Sequence, residues 1–152
     1  MTTPGRIIVD ADACPGPVRE ILFRTSARRG IVVVLVANRW PEPPKSEFIS
    51  AVVVPQGPDV ADDRIVEMSA PGDIVVTADI PLADRSIAKG ALVITPKGHL
   101  LTASNIGERL SIRNAMDEMR GAGIDTGGPA PYSVKDKQRF AAGLDRLLAR
   151  SS

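Results

Sequence analysis

Four aspartates carry the chemistry that this chain can do. Asp10 and Asp12 stand one residue apart in Arg6-Ile7-Ile8-Val9-Asp10-Ala11-Asp12-Ala13-Cys14-Pro15, directly after an apolar run suited to a buried strand. Asp79 follows a second such run, Ile74-Val75-Val76-Thr77-Ala78, and Asp62 lies near the start of the helical segment that leads into it. Carboxylates brought to one edge of a sheet repel each other and lose hydration as a site closes, unless a divalent cation sits between them. Mg²⁺ or Mn²⁺, held by carboxylate oxygens and water, is the ion that such donors suit. Two such ions activate a water and stabilise both oxygens of an in-line phosphodiester displacement. Asp10, Asp12, Asp62 and Asp79 are therefore the expected metal ligands and catalytic residues, of a nuclease acting on RNA or of a small phosphodiesterase. His99 and Cys14 are each alone, so no zinc-type ligand spacing exists.

Further residues are expected to serve the same edge. Asn38 comes just past the second apolar run, and Thr77 is placed to orient a group beside Asp79. Arg39, Lys45, Lys97, Arg109 and Arg113 are basic residues able to hold a phosphate backbone; Lys97 and Arg113 are singled out as substrate-binding. Competing readings remain. In a haloacid-dehalogenase-like phosphatase, the D-x-D after the first strand supplies nucleophile and acid/base. Thr77 would then give the phosphate-binding hydroxyl and Lys89 or Lys97 the lysine. Against it, Asp62-Asp63 precede Thr77, where that family has its last acidic pair after the lysine, and position 14 is Cys rather than Thr or Val. In a non-catalytic module, the acids would hold a structural ion while the protein binds RNA or a partner. The plainest alternative is that the aspartates cap helices and shape turns. Asp59 reads as an N-cap, Asp63 and Asp84 as solvated, and Asp73 as part of a Gly-Asp turn. Cys14 reads as a small core residue.

The elements that must position these residues follow from periodicity. Pro15 to Arg29 carries Val18, Ile21, Leu22 and Thr25 at helical spacing and stops at Gly30. Ile31 to Ala37 is a continuous β-branched run, followed by a proline-rich loop and a short strand over Ala51 to Val54. A helix is expected from Val60 to Ala70, with Ala61, Ile65 and Met68 on one face and Asp62 at its border. Strand Ile74 to Ala78, helix Ile80 to Lys89 and strand Ala91 to Ile94 come next. Thr95-Pro96-Lys97-Gly98 is turn chemistry, returning as a short arm over His99 to Thr102. Ser104 is the expected cap of a helix running to Arg120. After the glycine- and proline-rich stretch from Gly121 to Pro131, Ser133 and Asp136 form a capping box. That box opens an amphipathic helix with Phe140, Leu144, Leu147 and Leu148 inward.

Strands alternating with helices imply a parallel sheet. The expectation is a three-layer α/β fold, mainly parallel with helices on both faces, plus two C-terminal helices over a face or an edge. The chain of 152 residues fits a single domain. A net charge of +1 provides no molecule-wide basic field, so an RNA partner needs a local patch. Aromatic residues make up 3%, which argues against a stacking platform for single strands. The single cysteine fits a reducing compartment, and no apolar run reaches the ~20 residues of a membrane helix. The N-terminus shows no signal-type apolar core, so a cytoplasmic protein with no membrane partner is expected.

The blocks Val9-Asp10-Ala11-Asp12-Ala13-Cys14-Pro15, Val60-Ala61-Asp62 and Gly72-Asp73-Ile74-Val75-Val76-Thr77-Ala78-Asp79-Ile80-Pro81-Leu82-Ala83 resemble the bacterial YaiI/YqxD family of uncharacterised proteins. Thr126-Gly127-Gly128-Pro129 fits the same family, and the likeness covers essentially the whole chain. That family is regarded as similar to PIN-like domains, a group of metal-dependent nucleases. There an aspartate ends the first strand, further acids come from a central helix and another follows a later strand. Asp10, Asp62 and Asp79 match those places, with Asp12 as an added neighbour. The resemblance implies a PIN-like fold over 1–152 and, by extension, a nuclease.

Overall fold

The computed structural model describes residues 5–125 and 131–151, so the Thr126-Gly127-Gly128-Pro129 segment lies outside the described residues. Six strands form one sheet: β1 (Ile7–Asp10), β2 (Val33–Ala37), β3 (Ile49–Val53), β4 (Ile74–Val76), β5 (Leu92–Ile94) and β6 (Leu100–Leu101). Their spatial order is β3-β2-β1-β4-β5-β6. The first five strands run parallel, and β6 alone returns antiparallel against β5. The sheet is joined by α1 (Gly16–Arg29), α2 (Val60–Met68), α3 (Ile80–Ala88), α4 (Ile106–Gly121) and α5 (Val134–Ser151).

Alternation along each strand divides the core into two layers. Ile7, Val9, Val33, Leu35, Ile74, Val76 and Ile94 face α1 and α5, meeting Val18, Leu22, Phe140, Leu144, Leu147 and Leu148. Ile8, Val34, Val36, Val75 and Val93 face the other way, onto Ile65 of α2, Leu82 and Ala83 of α3 and Ile106 of α4. The central strands are apolar on both faces because both faces are covered. The three-layer α/β expectation holds, with one refinement. The two C-terminal helices divide between the layers: α5 lies with α1, and α4 packs beside α3 on the opposite face. Beyond Leu110, α4 carries only exposed or partly exposed residues.

Local details depart from the sequence-based expectations. The third strand starts at Ile49 rather than Ala51, because its register with β2 begins at Val33↔Ile49. The fourth stops at Val76; the Thr77 N–H still donates to the Ile94 carbonyl of β5 at 3.2 Å, while its hydroxyl turns to the Asp10 side chain and the Asp79 N–H. A single 3-10 turn over Ala11–Ala13 separates β1 from α1. Asp59 does stand before α2, yet its φ is 61° and its side chain makes no capping bond. Asn105, not Ser104, precedes α4. Its side-chain oxygen accepts the Thr102 N–H at 2.8 Å and its amide donates to the Leu100 carbonyl at 2.9 Å, which ties the helix start to β6. Asp73 is more than a turn residue. It is 5% exposed and accepts the backbone N–H of Arg6 (3.0 Å), the Arg6 guanidinium (3.1 Å) and the N–H of Ala70 (3.1 Å). The Ser133–Asp136 capping box is formed, with reciprocal bonds of 2.9 and 3.1 Å.

Candidate functional site

In a parallel sheet every strand presents its carboxyl end to one rim, and ligands of open α/β sheets bind where the strand order reverses. In this sheet the reversal falls between β1 and β4, since the chain builds outward from β1 first through β2 and β3 and then through β4 and β5. Asp10 is the last residue of β1, and Thr77, Ala78 and Asp79 follow β4 directly. The Thr77 hydroxyl donates to Asp10 Oδ2 at 3.0 Å and accepts the Asp79 N–H at 3.0 Å, so one buried side chain ties both acids to the reversal point.

Each aspartate is held differently. Asp79 caps α3, its Oδ1 accepting the Leu82 N–H at 3.0 Å. Asp12, in the 3-10 turn, is exposed, and its Oδ2 accepts the backbone N–H of Asn38 at 2.9 Å. Asn38 therefore reaches the site through its main chain. Asp62 sits in the first turn of α2 and faces Asp79 and Asp10 electrostatically. Oδ1 of Asp10, Oδ1 of Asp12 and Oδ2 of Asp79 receive no hydrogen bond among the described residues. Burial raises the Asp10 carboxyl above its ordinary range, and Asp79 and Asp12 raise it further against the lowering bond from Thr77. Burial and then the charges of Asp79, Asp10 and Asp59 push Asp62 up to about 6, with Arg85 opposing.

The four carboxylates offer oxygen donors only, the kind that hard divalent cations take. Among the described residues, no three acidic, histidine or cysteine side chains close on one point as a ready-made ligand set. The donor chemistry fits Mg²⁺ or Mn²⁺.

Two cavities flank the acid row. One, of about 570 Å³, is lined by Ala13, Pro15, Ala78 and Ile80, sequence neighbours of Asp12 and Asp79, and by Lys97, His99, Arg109 and Tyr132. The other, of about 290 Å³, lies on the β2 side and is lined by Asp12, Arg19, Arg39 and Trp40. Lys97 lines the first cavity together with Ala78, the residue before Asp79. Arg113 points along α4 to Asp117 at 3.1 Å and lines neither cavity; Arg109, one turn earlier, does. The cue for Arg109 was its place three residues after Ile106, the buried anchor of the first turn of α4. Tyr132 gave no cue at all. Lys89 caps the far end of α3, ahead of β5, at the rim opposite the acids. Cys14 is buried and its thiol is pushed up to about 12, chiefly by desolvation, so it stays protonated as a core residue.

Fold and site together define an α/β protein of doubly wound order whose strand-reversal point is lined by aspartates. The chain belongs to the YaiI/YqxD family: the model described as "Uncharacterized BCR, YaiI/YqxD family" matches residues 8–150. A UPF0178 protein of Burkholderia cenocepacia is 55% identical over 145 residues, covering 95% of this chain and 97% of the relative. A UPF0178 protein of Cupriavidus pinatubonensis is 52% identical over the same span, with the same coverage. No solved structure matches the chain. Among the described residues, no helix is long and apolar enough to cross a membrane.

Proposed function

We propose that this protein is a Mg²⁺- or Mn²⁺-dependent nuclease that hydrolyses RNA phosphodiester bonds, with a PIN-like arrangement of Asp10, Asp12, Asp62 and Asp79. The observation that carries the reading is the Thr77 bridge, which joins Asp10 to the Asp79 turn at the strand reversal while Asp62 approaches from α2. Burial first, and then the neighbouring carboxylates, make the Asp10 and Asp62 anions costly, and a divalent ion would remove that penalty. When bound, such an ion polarises a phosphodiester oxygen and lowers the pKa of water. The chain's own residues do the positioning. Thr77 fixes the rotamer of Asp10, the Leu82 N–H fixes Asp79, and the Asn38 N–H fixes Asp12. Each leaves its other oxygen without a hydrogen bond among the described residues, and Asp10, Asp12, Asp62 and Asp79 are the side chains that would hold the ion.

Purified protein is to be assayed on end-labelled single-stranded RNA with Mn²⁺, with Mg²⁺ and with chelator. Metal-dependent cleavage is expected, and Asp10→Asn should lower it by ~10²-fold or more, the loss that several kcal/mol of transition-state stabilisation represents. Equal cleavage by wild type and Asp10→Asn overturns the assignment.

A further inference from the structure

The larger cavity is not needed for the metal chemistry, yet it shares a wall with the acid row through Ala13, Ala78 and Ile80. Its lining also holds a group of cations. Lys97 and His99 come from the turn between β5 and β6, and Arg109 from the first turn of α4. Arg139 of α5 also faces His99, and the one acid facing it is Asp136. Three fixed positive charges against one negative, in a protein of net charge +1, mark a local concentration of positive charge. The crowding is felt by His99, whose imidazole is held below its ordinary range by burial and then by Arg109, Arg139 and Lys97.

The turn that carries Lys97 and His99 is held by hydrogen bonds. Thr95 N–H donates to the His99 carbonyl at 2.9 Å, and Thr95 Oγ1 accepts the His99 N–H at 3.1 Å. The Tyr132 hydroxyl donates to the Pro96 carbonyl at 2.8 Å, pinning the turn from the α5 side. Pro15, Ile80, Pro96 and Tyr132 give the cavity apolar walls, and one of them is aromatic. A volume of about 570 Å³ is far more than a bare phosphate fills and lies in the ordinary range for small-molecule sites. Apolar walls with an aromatic face, closed by cations at one side, suit a base and sugar joined to a phosphate.

We propose that this cavity is a nucleotide subsite: Pro15, Ile80, Pro96 and Tyr132 enclose a base and ribose, and Lys97, Arg109 and His99 hold the attached phosphate. The subsite gives the proposed nuclease its grip on the substrate beside the bond cleaved, and in that role it rests on the nuclease reading. Its occupancy is testable without metal or turnover.

His99 is the only histidine of the chain, so its ring protons are unique in a ¹H NMR spectrum. The metal-free protein is to be titrated with adenosine 5′-monophosphate, with adenosine and with inorganic phosphate at millimolar concentrations. The monophosphate should shift the His99 resonances and raise the pH at which they titrate, because an added anion favours the imidazolium. Adenosine should leave that midpoint unchanged, and inorganic phosphate should bind more weakly than the monophosphate. Arg109→Gln, at an exposed position, and Lys97→Gln, at a half-buried one, should each weaken monophosphate binding about tenfold. His99 signals indifferent to the monophosphate overturn the proposal. Equal affinity for inorganic phosphate and the monophosphate overturns the nucleotide assignment. RNA cleavage without any response of His99 removes the subsite alone, whereas a response of His99 without cleavage removes the nuclease alone.

Discussion

Thr77 shows how much of the site depends on single atoms. Its hydroxyl is donor to one acid and acceptor for the turn that carries another, so the spacing between Asp10 and Asp79 is set by one oxygen. The acids themselves were legible in the sequence because a charge that ends an apolar run must lie at a strand end. The Thr77 bridge was not legible, since a β-branched threonine is equally at home as a plain strand residue. Asp62 gives the residue-scale prediction. Its carboxyl has an ordinary value of 3.8 and titrates at about 6 in the folded protein, so the folded state binds the extra proton between those limits. The contribution of Asp62 to stability in chelator should therefore be greatest below about 4, fall as pH rises to about 6 and level off above it, opposed at low pH by Asp136, whose carboxyl is held below its ordinary range chiefly by the Ser133 N–H. Asp62→Asn should flatten that slope, and added Mg²⁺ should raise Tm more at pH 7 than at pH 5. Urea denaturation and thermal melting across that range check both statements.

The elements were read almost completely, because runs buried on both faces and amphipathic helices announce themselves through period. What escaped were features decided by neighbours distant in sequence. Asn105 replaced Ser104 before α4 because only its side chain reaches both Thr102 and the Leu100 carbonyl of β6. The seating of α5 on the turn between β5 and β6 is of the same kind. Gly98 has φ +89°, and a Cβ there would stand 2.5 Å from the main-chain carbon of Arg139 in α5. Gly98→Ala must therefore push helix and turn apart, at a cost of at least ~1–3 kcal/mol, and should also weaken nucleotide binding through displaced Lys97 and His99. Gly107, in the first turn of α4, has nothing within 4 Å of its would-be Cβ, and Gly107→Ala should stabilise by about 0.5–1 kcal/mol. Chemical denaturation of the two variants checks the contrast.

At the scale of the whole molecule, strand order does what composition could not reveal. A net charge of +1 reads as neutral, but the fold sets acids at the ends of β1 and β4 and cations beyond β5. Alternation in the sequence announced a parallel sheet, whereas the order β3-β2-β1-β4-β5-β6, and with it the pairing of Asp10 with Thr77, depends on crossovers that periodicity does not encode. On the proposed reading few cations would meet the phosphates, so single-stranded RNA binding should be only weakly salt-dependent. Each of Lys97→Gln and Arg109→Gln should reduce the slope of log K against log salt by about 0.7, measurable by fluorescence anisotropy of a labelled strand. The same topology has one more consequence. Trp40, the only tryptophan, is 62% exposed beyond β2 on one flank of the acids, and the sole imidazole stands beyond β5 on the other. The molecule thus carries a built-in ruler: a ligand confined to one flank disturbs one ring, and only a ligand long enough to span the row dims the indole emission and moves the imidazole together.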